Sequence, residues 1–408
     1  MSTLQEERPP VPAVAGAESG SAWQRLRRRA GQGELGSLPV VFGLVVIWTV
    51  FYLANPRFLS AGNLTNLLLQ IVAVGVIASG VVLVLLLGEI DLSVGAVSGL
   101  AAAIMAVLNV QRGITAVLAI LAGLLVGLLI GLFNGFFVTR LYVPSFVVTL
   151  AGLIGWQGLL LYTLGSTGTI NVTDRGITRL TGTFLPVWAG WALAVAVIAV
   201  GFTLALGARR RRDAAGLRVP PVASVLVRVG VVAVVVLVAT FVLNSSRGVP
   251  LSVLILLAVV TILEFILART RFGRYVYAVG GNAEAARRAG IPVKRIQMIV
   301  FATASTLAAF GGILAASRLL AVNQSSGAGD LLLNAIAAAV IGGTSLFGGR
   351  GKARSALLGA LVIGSVSNGM DLLALSSSVK YMITAAVLLV AVTIDASARR
   401  ARQSAGRA

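Results

Sequence analysis

The stretch FGRYVYAVGGNAEAARRAGIPVKR, residues 272–295, is polar and charged, yet it lies between two long apolar runs. It contains a short helix with defined ends. Asn282 can cap the N-terminus, and Glu284 falls in the first turn, where the helix dipole favours an anion. Arg287 and Arg288 fall in the last turn, Gly290 can take the left-handed conformation that follows a helix, and Pro292 blocks continuation. A capped helix of about two turns cannot cross the roughly 30 Å of a bilayer core. Held between membrane spans, it is placed to be contacted by a soluble partner on the cytosolic side.

The flanking sequence sets the class. Hydrophobic residues make up 58% of the 408 and charged residues 11%, against about 25% charged in a soluble domain. Many runs exceed the length of about 18 apolar residues that marks a spanning helix, and they are continuous rather than alternating, which excludes a β-barrel. The expected fold is an all-α polytopic membrane bundle. About twelve apolar segments can be traced, at 38–55, 64–87, 92–110, 114–139, 144–164, 186–207, 224–243, 250–268, 296–317, 331–348, 355–371 and 379–396, for 10–12 spans. The 331–348 segment is short, Gly-rich and polar at Thr344 and Ser345, the pattern of a broken or re-entrant helix.

The chain contains no Cys and no His. Disulfides, thiolate chemistry and His acid–base catalysis are thereby excluded, and no metal site is expected. The net charge of +20 invites a nucleic-acid reading, but its distribution decides otherwise. With both termini in the cytosol, 26 of the 33 basic residues fall on cytosolic segments and 7 on external ones. That bias is the positive-inside pattern and implies no nucleic-acid partner. Residues 1–36 read as a disordered cytosolic tail, 37–397 as the transmembrane domain in the lipid of the cell membrane, and 398–408 as a basic cytosolic tail.

Within the spans, Gly123, Gly127, Gly131 and Gly135 repeat every fourth residue, the spacing that lets helix backbones approach closely in lipid. GEIDLSVG, residues 88–95, joins two spans. Asp91 or Ser93 can cap the following helix, and Glu89 and Asp91 sit where its dipole is positive; an ion or proton site is the alternative reading. Glu264 either pairs with Arg269 and Arg271 or is a buried coupling acid. The amides Gln70, Asn134, Gln157, Asn334 and Asn368 suit either interhelical bonds or a neutral polyhydroxyl solute. GGRGKARS, residues 348–355, is not a P-loop: Leu346 stands where the first Gly is needed and Ala353 where Ser or Thr is needed. If ATP drives this protein, a separate subunit must hold it.

With these residues in view, the chain resembles the permease subunits of bacterial ABC importers for monosaccharides. The resemblance rests on NLLLQ (66–70), GEIDLSVG (88–95), FNGFFV (133–138), VPSFVVTLAG (143–152), RFGRYVYAVGGNAEAARRAGI (271–291) and AIAAAVIGGTSLFGG (335–349), in order. An extra hydrophobic hairpin at about 186–243 resembles the longer xylose branch. The resemblance implies that the segment 269–295 is the coupling loop. Gly280, Gly281, Asn282, Glu284, Ala285, Arg287, Arg288 and Gly290 would then meet a cytosolic ATP-binding subunit, which uses ATP and Mg; this chain itself would bind no cofactor and perform no bond chemistry. It further implies a permease homodimer, an extracytoplasmic sugar-binding protein and alternating access. On this reading Gly281→Val or Glu284→Lys abolishes transport without preventing insertion. The chain departs from the resemblance where an acidic Glu-Leu-Asp triplet is usual: it has Leu332, Leu333 and Asn334, with Asp330 nearby.

Overall fold

The computed structural model describes residues 38–404 except 218 and 220. The expected tail at 1–36 and the last residues of the expected C-terminal tail, 405–408, lie outside the described residues.

The described chain is helical apart from one small strand pair. The helices are α1 (Leu38–Ala54), α2 (Ala61–Leu86), α3 (Val94–Ala106), α4 (Ala116–Arg140), α5 (Ser145–Leu164), α6 (Arg175–Gly182), α7 (Val187–Ala214) and α8 (Val222–Asn244). They continue as α9 (Leu251–Arg269), α10 (Arg271–Gly281), α11 (Ala283–Arg288), α12 (Val293–Leu319), α13 (Asp330–Ile341), α14 (Arg354–Leu372) and α15 (Ser377–Ser404). Strands β1 (Thr169–Asn171) and β2 (Ala321–Asn323) pair antiparallel, with Ile170 opposite Val322. Among the described residues, nine helices are long and apolar enough to cross a membrane. Of the twelve expected segments, three are not among these nine: α1, with 17 residues, and α13, with 12, are shorter than that criterion, and α15 is the third.

Local sequence explains the helix starts. Pro144, Pro186, Pro221, Pro250 and Pro292 immediately precede α5, α7, α8, α9 and α12, where a missing N–H costs nothing and a fixed φ suits entry into a helix. Thr270 and Asn282 cap α10 and α11 through their side chains, by 3.2 Å and 2.9 Å bonds from Gly273 N–H and Ala285 N–H.

The centre of the bundle is α2, buried along most of its length, with α9, α12, α13 and α14 packed around it. The glycine stripe of α4 lies against α12. A Cβ on Gly127 would meet Ser305 O at 2.7 Å, and one on Gly131 would meet Phe301 O at 2.5 Å. Gly135 faces Met298 and Gly123 faces both Ile313 and the Ala101 carbonyl of α3. Only glycine permits this backbone approach, which maximises dispersion contact where apolar burial offers no driving force between helices.

α13 spans about 18 Å, well short of a bilayer core. After Ile341 the chain turns back through 342–353, with positive φ at Gly343, Gly348, Gly349 and Gly351. Three features escaped the sequence reading: the amphipathic helix α10, the short α6, and the β1–β2 pair, whose partners lie 150 to 154 residues apart (Asn171 with Ala321, Thr169 with Asn323). The π-helical turn Val107–Gln111 that ends α3 was also unforeseen.

Candidate functional site

The loops rich in basic residues gather at one end of the bundle. There the end of α2, the α10–α11 junction and the 342–353 loop interlock. Gly349 N–H donates to Leu86 O at 2.9 Å. A Cβ on Gly280 would stand 1.7 Å from that same Leu86 oxygen and 2.7 Å from Gly349 N. Tyr277 Oη donates to Gly351 O at 2.8 Å. Gly281, one residue on, would meet nothing within 4 Å. The two glycines that looked equivalent in sequence therefore differ: Gly280 is a contact point inside the protein and Gly281 faces open space.

α11 projects from this junction. Ala286 is its one buried residue, while Glu284, Ala285, Arg287 and Arg288 are exposed. Glu284 accepts from Arg287 and, at 3.1 Å, from Arg288. The Arg287 hydrogen bond holds the Glu284 carboxyl below its ordinary range. Gly290 has φ +81 and terminates the segment. Beside α11 a cavity of about 420 Å³ is bordered by Glu89, Tyr142, Ser145, Glu284, Arg287 and Lys294. The Lys294 ammonium lies 4.5 Å from the centroid of the Tyr142 ring.

The GEIDLSVG turn sits next to this junction, but not as surface caps. Asp91 is buried, and its Oδ1 accepts from Ser93 N–H at 2.8 Å and Ser93 Oγ at 2.6 Å. It thus shapes the turn before α3, and Ser93, at the N-cap position, makes no side-chain cap bond. Ser93 Oγ is occupied because it also accepts from Asn134 Nδ2 at 3.0 Å. Burial pushes the Asp91 carboxyl above its ordinary range, partly opposed by the Ser93 bonds. Glu89 accepts from Gln297 Nε2 of α12 at 3.0 Å and so reaches sideways instead of capping. Glu264 also departs from expectation: its Oε2 accepts from the Arg354 backbone N–H at 3.3 Å, at the start of α14. Arg269, five residues on, lies about 140° around the helix. Arg271 lies beyond the helix break at Thr270.

At the opposite end, two adjoining cavities of about 620 and 500 Å³ lie among α2, α12, α13 and α15. Gln70, Arg318, Asp330, Asn334 and Tyr381 border both. Asn323, Ser325 and Ser326 add polar groups to the larger one, and a Lys380–Asp371 ion pair stands at the edge of the smaller. The arrangement offers amides, hydroxyls and charges balanced in sign, Arg318 and Lys380 against Asp330 and Asp371, a set suited to hydrogen-bonding a neutral polar solute.

The five spanning amides do not converge. Gln70 and Asn334 face these cavities. Asn368 is buried behind them, donating to Gln70 Oε1 at 3.4 Å and accepting from Asn63 Nδ2 at 2.7 Å. Gln157 donates to Gln324 O at 2.8 Å, fastening α5 to the segment after β2. Asn134 is fully buried at the other end, in the Asp91–Ser93 cluster. Arg318 and Tyr381 were missed, since neither stands out in sequence from other span-end residues. In the departing triplet, Leu332 is buried, Leu333 faces the smaller cavity and Asn334 faces both.

Comparison with known proteins identifies the family. Residues 63–392 match the family described as "Branched-chain amino acid transport system / permease component". The chain is 38% identical over 361 residues to the xylose transport system permease protein XylH of Escherichia coli (strain K12), covering 88% of this chain and 89% of that one. The protein of the same name from Haemophilus influenzae is 37% identical over 370 residues, covering 88% and 96%. The ribose import permease protein RbsC of Bacillus subtilis (strain 168) is 34% identical over 364 residues, covering 89% and 94%. The coverage runs through both ends of the bundle, so this multi-pass membrane chain belongs to the permease-component family that this description names and that includes these relatives, as a transport subunit and not an enzyme.

Proposed function

We propose that this chain is the membrane subunit of an ATP-driven importer that carries a monosaccharide, D-xylose by its relatives' names, across the cytoplasmic membrane by alternating access. The observation that carries the reading is the placement of two sites at opposite ends of one bundle. One end holds the amide- and hydroxyl-lined cavities, and the other holds the exposed, capped α11 on its glycine contact. α2 runs between them, with Gln70 facing the cavities and Leu86 at the Gly280 contact. Movement imposed on α10 and α11 thus has a rigid path to the cavities.

The partners proposed are a cytosolic ATP-binding subunit docking on α11, with its own ATP and Mg, a second copy of this chain, and a sugar-binding protein at the cavity end. The distribution of basic residues supports a cytosolic location for both termini, with α1, α13 and α15 completing 10–12 membrane segments. A second reading, a different sugar or a nucleoside-like solute, is favoured by Leu333 and Asn334, uncharged residues on the cavity wall.

The test is reconstitution. Xylose uptake into proteoliposomes is expected only with the ATP-binding subunit, ATP and the binding protein together. Uptake driven by an ion gradient with this chain alone would overturn the proposal, and transport of another solute in preference to xylose would select the second reading.

A further inference from the structure

We infer that the cytosolic tip of the α7–α8 hairpin is a binding site for anionic phospholipid headgroups, and that this lipid contact holds the hairpin in place. The inference starts from how the hairpin is attached. Its buried residues are Gly190 and Ala194 on α7 and Thr240 and Leu243 on α8, all near the end that carries the 183–187 and 244–251 segments. That end is fastened by backbone bonds of 2.9 Å, Leu185 N–H to Val249 O and Leu251 N–H to Thr183 O, and by Asn244 Nδ2 to Val187 O at 3.3 Å. Toward the other end the helices contact each other and little else. Val200, Leu204, Val231 and Val235 are all more than half exposed. The hairpin is therefore a lever fixed at one end.

The free end carries arginines at 209–212. The apolar part of α7, residues 187–206, is about 30 Å long at about 1.5 Å per residue. That matches the hydrocarbon thickness of about 30 Å, so the four arginines emerge into the headgroup layer. Successive residues turn by about 100°, so four in a row present guanidinium groups on every side of the helix. Arg210, Arg211 and Arg212 are exposed, and Arg209 has a buried Nε with no partner. Among the described residues no ion pair joins any of the four to an acid, although Asp213 is adjacent. Guanidinium forks bind phosphate oxygens in bidentate geometry, and basic clusters immediately cytoplasmic of a spanning helix are attracted to anionic lipid.

A topology signal alone would need the charge but no bound lipid, and that difference can be measured. The full chain is reconstituted in phosphatidylcholine vesicles with and without phosphatidylglycerol, and trypsin cleavage at 209–212 is timed. Phosphatidylglycerol is expected to slow cleavage by tenfold or more, with the protection lost at about 1 M salt, where the Debye length shrinks to about 3 Å. In native mass spectrometry, each of Arg210→Gln, Arg211→Gln and Arg212→Gln is expected to weaken phosphatidylglycerol retention about fivefold. Arg57→Gln and Arg112→Gln, exposed arginines at the opposite end, should leave it unchanged. Because the chain contains no cysteine, one cysteine introduced at Ala215 reports hairpin orientation in each variant. Equal cleavage in both vesicles, protection that needs an added ATP-binding subunit, or unchanged retention in correctly oriented variants would each overturn the inference.

Discussion

Gly280→Ala is the sharpest perturbation of the proposed coupling path. Gly280 is helical, so by local propensity alanine should stabilise the position by about 1 kcal/mol. The tertiary contact reverses that sign. The added Cβ would lie 1.7 Å from Leu86 O and 2.7 Å from Gly349 N, and carbon needs about 3.5 Å. α10 must therefore move by more than about 1.5 Å from α2, or the Gly349–Leu86 bond must open. Overpacking of this kind costs about 1–3 kcal/mol and a weakened backbone bond about 1 kcal/mol. Net of propensity, the loss is about 1–3 kcal/mol, enough to displace α11 without preventing insertion. Gly281→Ala is the control, because its Cβ meets nothing within 4 Å. Thermal melting of the purified chain and ATP-driven uptake in proteoliposomes should both fall for Gly280→Ala, whereas the melting temperature should be unchanged or slightly raised for Gly281→Ala. Equal behaviour of the two variants would refute the reasoning.

Three further outcomes are expected. Gly131→Leu should destabilise by about 1–3 kcal/mol through the Phe301 carbonyl, whereas Gly155→Leu, facing open space, should melt like the parent. Glu284→Gln should lower stability only slightly at neutral pH, because exposed ion pairs contribute little. The parent's small Glu284 contribution, from a depressed carboxyl, is present above its unfolded pKa and disappears as pH falls through the folded value, so the slight deficit of Glu284→Gln should vanish in acid, and a large loss at neutral pH would contradict this. Asp91 has the opposite sign: burial raises its carboxyl, so its favourable contribution is complete below the unfolded pKa and is lost as pH rises through the folded one. Asp91→Asn keeps an acceptor for Ser93 and should flatten that part of the pH–stability profile, and a parent-like profile would show that Asp91 does not titrate there.

Much of the bundle was legible because its signals are local. Continuous apolar runs and the Asn282 cap both act within a few residues, and their physics does not depend on what lies across the bundle. The glycine stripe of α4 could likewise be read as a packing face from spacing alone. Asp91 could not be read correctly, because a carboxylate before a helix suits capping in isolation, and only burial beside Ser93 and Asn134 turns it inward. Glu264 was misassigned for a similar reason: its partner, the Arg354 N–H, is 90 residues away.

The sequence by itself determined that this is a helical membrane protein, how its basic residues divide between the two ends, and that a capped polar helix interrupts the spans. Hydropathy, charge and capping are properties of neighbouring residues, so the chain order suffices. Only the tertiary structure decided which amides reach a cavity, why Gly280 and Gly281 are not equivalent, and that the α7–α8 hairpin is fastened at one end alone. Those depend on distances between segments far apart in the chain, set by close packing of backbones such as α4 on α12 and α10 on α2, and no local pattern encodes them.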